Sequence, residues 1–344
     1  MPSGTGARRL LLLGGIALLA FFIAGLITGA IGTAVLRGED EDPLLPEPSV
    51  HLPPQTIFPG SEREHYLNFL ELEEKEKAEG KAALTAHEKE IVEGGPFRGS
   101  RFVITNTMLS AWITTLILIG IFVFGVRKAR MVPGRLQNLV EVAIETLLGF
   151  VEGVIGRDLA RKVFPLIATI FLFVALNAWI ALIPLWPSLG FKNDDGEIVA
   201  HLLRSAGTDL NMPLALALVS FVFVEYWGLR TLGFRYLSKF MPVGAFAHNI
   251  RRGQVFQAFV SLFVGFLEGV SELVRVLSFT FRLFGNMTAG EVLVLMAAFL
   301  VPFVATVAVY GLELLVGAVQ ALIFAGLTLV FVTVAVVPHE EEHE

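Results

Sequence analysis

Cysteine is absent from the 344-residue chain, which excludes disulfides, thiolate metal sites and cysteine nucleophiles. Histidine is thin: His51, His65, His87, His201, His248, His339 and His343 show no metal-ligand spacing. Neither a metal nor a cofactor is expected, and no nucleic-acid partner. Nucleophile motifs and phosphate-binding loops are missing too, so group-transfer chemistry is not expected of this chain. Charge is scarce: Asp, Glu, Lys and Arg make up 17% of the residues, against about 25% in soluble domains. The net charge of −6 comes mostly from an acidic stretch near the start and an acidic tail.

Long apolar runs take the place of charge, and hydrophobic residues reach 54%. A membrane-crossing helix needs about 20 mostly apolar residues. Candidate spans lie at Leu10–Leu36, Val103–Val126, Val163–Leu185 and Leu214–Tyr226, the last with room to continue to Leu232. Two more form a long final stretch, Val255–Leu300 and Val301–Val337, with Pro302 at the hairpin. The first run follows Arg8 and Arg9 and is nearly double the roughly 7–15 residues of a signal peptide core, so it reads as an uncleaved anchor. Val132–Ile155 is interrupted by Gln137, Glu141, Glu145 and Glu152 at helical spacing, the pattern of an amphipathic helix at the membrane interface. The predicted fold class is therefore an all-α polytopic membrane protein with about six spans, an interfacial helix and a terminal helical hairpin.

Residues 37–101 interrupt this pattern. An acidic, proline-rich linker is followed by a charged helix or helix pair bounded by Gly and Pro, read as a solvated spacer. The organisation expected is a membrane anchor at 1–36, the charged extra-membrane insert at 37–101, a membrane domain at 102–337 and an acidic tail at 338–344. Short loops set the orientation. With the amino terminus inside, the inner segments hold Arg127, Lys128, Arg130, Arg135, Arg157, Arg161 and Lys162, then Arg230, Arg235, Lys239, Arg251 and Arg252. The outer loop 187–212 holds only Lys192 and Arg204. Both termini are then cytoplasmic and the 37–101 block lies outside.

Ionisable groups within spans are costly and mark function by default. The fifth span carries Glu268, Glu272, Arg275, Arg282, Asn286 and Glu291; the sixth carries Glu313 and Gln320. Glu291 lies nine positions past Arg282, and nine steps of about 100° end on the opposite face, so the two need not form an ion pair. Counted from the hairpin, Arg282 is 18 residues before Leu300 and Gln320 is 19 after Val301, which puts them at nearly one depth. Glu291 and Glu313 form a second layer nearer the outside, where two neighbouring carboxylates are expected to share a proton. Glu268 and Glu272 lie on the inner side. The arrangement is that of two half-paths interrupted by a guanidinium that does not deprotonate. The plainer reading, interhelical hydrogen bonds that only bind the bundle together, stands beside it.

The segment Ser278–Leu295, "SFTFRLFGNMTAGEVLVL", resembles the signature of subunit a from the membrane sector of F-type ATP synthases. "FLEGVSEL" (Phe266–Leu273), "VQALIFAGLTLV" (Val319–Val330), "ITNTML" (Ile104–Leu109), "FPLIATIFLFVALN" (Phe164–Asn177) and "GTDLNMPLALAL" (Gly207–Leu218) are similar to further segments of that family. The resemblance covers about residues 103–337. It implies that Arg282 faces a ring of c subunits, each with one membrane-buried carboxylate, and that Asn286, Glu291, Glu313, Asp209 and Asn211 line an outer half-channel. It places Glu268 on the cytoplasmic side and Gln320 near the arginine. Some members have His where Glu313 stands, and an Asp shortly before the pair matching Ile183–Pro184, where this chain has Ala181.

The resemblance further implies a non-catalytic, proton-translocating stator subunit in a bacterial-type plasma membrane. Its partners would be the c-ring, b-type peripheral stalk subunits, the rest of the F1Fo complex, protons and lipid. Proton is preferred over sodium because no dense set of oxygen ligands is present. A secondary transporter would call for inverted repeats, which are not seen, and a structural anchor would not need Arg282 at mid-membrane.

Overall fold

The computed structural model describes residues 5–32, 54–80, 84–95, 103–127, 130–183, 189–192, 198–240 and 242–337. The end of the first apolar run at 33–36, the linker at 37–53 and the acidic tail at 338–344 lie outside the described residues. Among the described residues ten α-helices run in chain order: α1 Thr5–Thr28, α2 Gly60–Glu79, α3 Ala86–Gly94, α4 Asn106–Val126, α5 Arg135–Ile155, α6 Arg157–Ala181, α7 Asn211–Leu232, α8 Val243–Arg251, α9 Val255–Leu300 and α10 Val304–Val336. Two short antiparallel ladders join them, β1 (Thr56–Phe58) with β2 (Ile104–Thr105) and β3 (Gly190–Lys192) with β4 (Ile198–His201). The fold is all-α and polytopic, as expected; β1, β3 and β4 lie in segments read as outer, and β2 occupies the first residues of the candidate span Val103–Val126.

Among the described residues five helices are long and apolar enough to cross a membrane: α4, α6, α7 with its 3-10 extension to Lys239, α9 and α10. Within α1 the apolar run Leu12–Thr28 is shorter. Helix α1 docks its carboxyl-terminal half on the α9–α10 turn, where Gly25 and Gly29 face Pro302 and Leu300 and the Phe21 and Phe303 rings lie 6.0 Å apart. The turn itself is sharp, with Phe303 at φ 70, a conformation uncommon for a residue with a side chain.

The core forms where α5, α6, α7, α9 and α10 meet. Val151, Val163, Ile167, Val224, Phe279, Leu283, Phe324 and Leu329 are buried there. Phe279 packs its ring 4.9 Å from Phe324 and 5.8 Å from Phe331. In lipid the hydrophobic effect does little between helices, so close packing and interhelical hydrogen bonds hold the bundle. Ser220 and Thr328 share such a bond at 2.8 Å, joining α7 to α10. Helix α5 is amphipathic, as its pattern predicts. Its buried Gln137 pairs with the backbone of Arg130, accepting from the amide and donating to the carbonyl at 3.1 Å each, which closes the α4–α5 connection.

The charged insert forms the expected helix pair but is no free spacer. Strand β1 pairs with β2 at the start of α4, and Tyr66 on α2 is fully buried. Gln55 fixes the junction: its carbonyl accepts from Asn106 N at 3.0 Å, and its side-chain oxygen accepts from His201 N at 2.8 Å. The Arg63 guanidinium stacks 4.0 Å from the Phe191 ring of the β3–β4 hairpin. Charge along α2 hid this inner face, because one of the residues it buries, Glu62, is itself charged and leaves little apolar periodicity.

Candidate functional site

Two polar centres lie at opposite ends of α9. The outer one surrounds a cavity of about 180 Å³ whose wall includes Gln55, Arg204, Asn286, Glu291, Tyr310 and Glu313. Helix α9 supplies Asn286 and Glu291 at a spacing of five residues, and α10 supplies Glu313 opposite them. Gly290 makes that approach possible: a Cβ there would overlap Glu313 Oε2.

Arg204 comes from the loop before α7. Its backbone amide donates to Ser110 Oγ on α4 at 3.1 Å. Its side chain turns into the cavity, where Nε donates to both Glu291 oxygens and Nη2 donates to Oε2, all at 3.0 Å. The arginine is only 8% exposed. This differs from the expected pair of like charges sharing a proton, because Glu291 has a cation of its own. Glu313 has no ion-pair partner among the described residues. An isolated arginine in a 26-residue outer loop carries no periodic signal; only its presence in an otherwise lysine- and arginine-poor loop marked it.

One turn inward, Asn286 Nδ2 donates to Gln320 Oε1 at 2.6 Å. Gln320 is 1% exposed, and its Nε2 has no hydrogen-bond partner among the described residues. The polar layer expected from Arg282 and Gln320 is thus realised through Asn286, one turn outward of Arg282. Arg282 itself lies exposed on the outside of α9, amid the exposed apolar side chains Leu277 and Phe281. Among the described residues it has no hydrogen bond and no ion pair. Arg282 and Glu291 do face different surroundings.

Asp209 and Asn211 do not line the cavity. Asp209 is buried beside it, accepting from Thr107 Oγ1 at 2.9 Å and from the amide and side chain of Asn211 at 3.0 Å each. The carboxylate ties the outer ends of α4 and α7 together.

The inner centre gathers Glu268 and Glu272 around Lys239, at 2.7 and 3.1 Å. Glu272 also pairs with Arg275, whose guanidinium carbon lies 3.7 Å over the Phe331 ring. Tyr236 donates to Glu225 at 3.2 Å nearby. Arg275 stands out in the sequence as a charge within the fifth span, whereas Lys239 and Glu225 lie outside that helix and carry no such signal.

Outside the spans, burial pushes the Tyr66 phenol up to about 12, with the Arg204 guanidinium opposing. The insert therefore rests close to the cation of the outer cavity.

A sequence model described as ATP synthase A chain matches residues 108–333. The chain belongs to this family. The ATP synthase subunit a of Gloeobacter violaceus is 36% identical over 238 residues, 69% of this chain and 86% of that protein. That of Mycobacterium tuberculosis is 34% identical over 244 residues, 70% of this chain and 90% of the relative. That of Solidesulfovibrio magneticus is 31% identical over 229 residues, 67% and 83%. The matched region begins within α4, so α1 and the insert lie outside the family match.

Proposed function

We propose that this chain is the proton-translocating stator subunit of a rotary F-type ATP synthase, with two offset half-paths separated by Arg282. The observation that carries the reading is an exposed arginine within a candidate membrane span, without a partner among the described residues and between two polar centres. A cation in lipid is expensive and needs an anionic partner. The partner that fits is a membrane-buried carboxylate on each subunit of a c-ring passing this face. Peripheral stalk subunits of b type would hold the chain still against the rotating ring.

In this reading a proton enters from outside through the cavity of Glu291 and Glu313, with Asp209 and Asn211 shaping the approach. It continues past Asn286 and Gln320 to a ring carboxylate. Once neutral, that carboxylate can face lipid at low cost. After rotation, a carboxylate arriving from lipid releases its proton toward Glu268 and meets Arg282 as an anion. Attraction between unit charges at 4 Å is about 4 kcal/mol at an effective dielectric near 20, enough to favour the ionised form without fixing the ring. The same positive charge repels a proton crossing directly between the half-paths. The driving energy is about 2.3 kcal/mol per charge per 100 mV. ATP chemistry belongs to other subunits, and the membrane is a bacterial-type plasma membrane with both termini of this chain cytoplasmic.

ATP-driven pumping by the assembled complex in vesicles tests the reading. Arg282→Lys is expected to abolish it, because lysine lacks the rigid fork and can deprotonate when desolvated. Arg282→Ala is expected to add a passive leak. Pumping near the wild-type rate in either variant would remove the central claim.

A further inference from the structure

Two carboxylates share the outer cavity, but only one has a cation. Glu291 receives three hydrogen bonds from the Arg204 guanidinium, while Glu313 packs against Gly290 without an ion-pair partner among the described residues. We propose that Arg204 is a positioning residue for proton transfer: it holds Glu291 against the outer wall and cancels its charge, leaving Glu313 as the acid that passes the proton inward. The proposal rests on the proton-translocation reading above.

The chemistry of the pair favours this division. A guanidinium stays charged and offers donors in a fixed fork that matches a carboxylate. Arg204 holds that fork still, because its backbone is tied to Ser110 and its side chain is almost fully enclosed. The backbone amide anchors the loop at Ser110, and the side chain engages Glu291. Among the described residues no ion pair or hydrogen bond restrains the Glu313 side chain, which lines the cavity that Asn286 also lines. Asn286 in turn contacts Gln320 at 2.6 Å, which continues the polar path inward from the Glu313 side.

Removing one member of a buried ion pair leaves an uncompensated charge, whereas removing both can be nearly neutral. Without Arg204, a bare Glu291 carboxylate would retain incoming protons. Without Glu291, the cavity would gain one net positive charge, which would repel them from Glu313. The single neutral substitutions should therefore each impede flow, and the double substitution should relieve it. A role confined to loop structure predicts the opposite, since the double variant would keep every defect of the Arg204 single. If Glu291 carried the proton itself, the double variant would stay as slow as the Glu291 single.

The test is passive proton flux through the assembled complex in liposomes, with the ATPase head stripped and a potassium diffusion potential applied. Arg204→Gln and Glu291→Gln are each expected to slow flux about tenfold, equivalent to about 1.4 kcal/mol of barrier. Arg204→Gln/Glu291→Gln is expected to recover to within about threefold of wild type. Arg204→Lys, which keeps the charge but not the fork, should fall between wild type and Arg204→Gln. A double variant no faster than the slower single overturns the proposal, and so does an Arg204→Lys rate equal to that of Arg204→Gln. If Arg204→Gln does not assemble, Glu291→Gln against the double variant makes the same comparison. A wild-type complex that conducts no protons would instead remove the translocation reading itself.

Discussion

Arg204 and Glu291 lie 87 residues apart in the chain and meet through a guanidinium fork at 3.0 Å. The contact joins the outer loop before α7 to the outer part of α9, and it turns an expected pair of like charges into an ion pair beside a lone acid. The outer cavity therefore has two acids in unlike settings, one clamped and one packed on a glycine.

Glu313 is the more sensitive of the two. Glu313→Gln is expected to reduce passive proton flux by at least about a hundredfold, against about tenfold for Glu291→Gln. Gly290→Ala should also slow flux, because its methyl group would displace the Glu313 carboxyl. Shortening the acid in the same chain, Gly290→Ala/Glu313→Asp, should restore part of the loss. Flux measurements on head-stripped vesicles decide this, and equal losses for the two Gln variants would refute the ranking.

The orientation can be read by labelling, because the chain has no native cysteine. Glu93 is exposed at the end of α3, and Arg127 is exposed just past the end of α4. A membrane-impermeant maleimide should reach Glu93→Cys on intact cells and Arg127→Cys only after lysis. The reverse pattern would invert the topology, and labelling of both on intact cells would mean that α4 does not span.

Acid should loosen the first turn of α3 in a defined window. Glu88 closes a capping box with Thr85, and the backbone amide and hydroxyl of Thr85 hold its carboxyl down to about 2 from an ordinary 4.5, with Lys75 assisting. The folded value lies below the unfolded one, so the stabilisation is present above pH 4.5 and is lost as pH falls toward about 2. Hydrogen exchange across residues 85–92 should accelerate over that window beyond the intrinsic pH effect. Glu88→Gln should remove the added dependence, and an unchanged profile in that variant would show that the box does not control the helix.

The insert illustrates how local and tertiary signals part. Its two helices follow from charge, Gly and Pro placement and a capping sequence, all of which act within a few residues. Its docking does not, because Gln55 finds Asn106 and His201 across separations of 51 and 146 residues. Each partner is an ordinary polar residue until the chain brings them together.

The same division holds for the whole molecule. Apolar runs, the amphipathic pattern of α5 and the hairpin at Pro302 were legible in the sequence because burial in lipid acts on every residue of a span and repeats with the helical period. Arg282 was legible for the same reason, as a charge where the period calls for none. The sequence by itself thus determined the membrane class, the elements and the residues that stand out within spans. Tertiary structure alone decided which of those residues meet. Asn286 rather than Arg282 reaches Gln320 because helix rotation and axial offset are set by packing along the whole α9–α10 contact. Arg204 reaches Glu291 because a loop anchored at Ser110 points its side chain inward. A pair contact depends on the relative placement of two elements, and that placement is a sum over many distant contacts which no local pattern records.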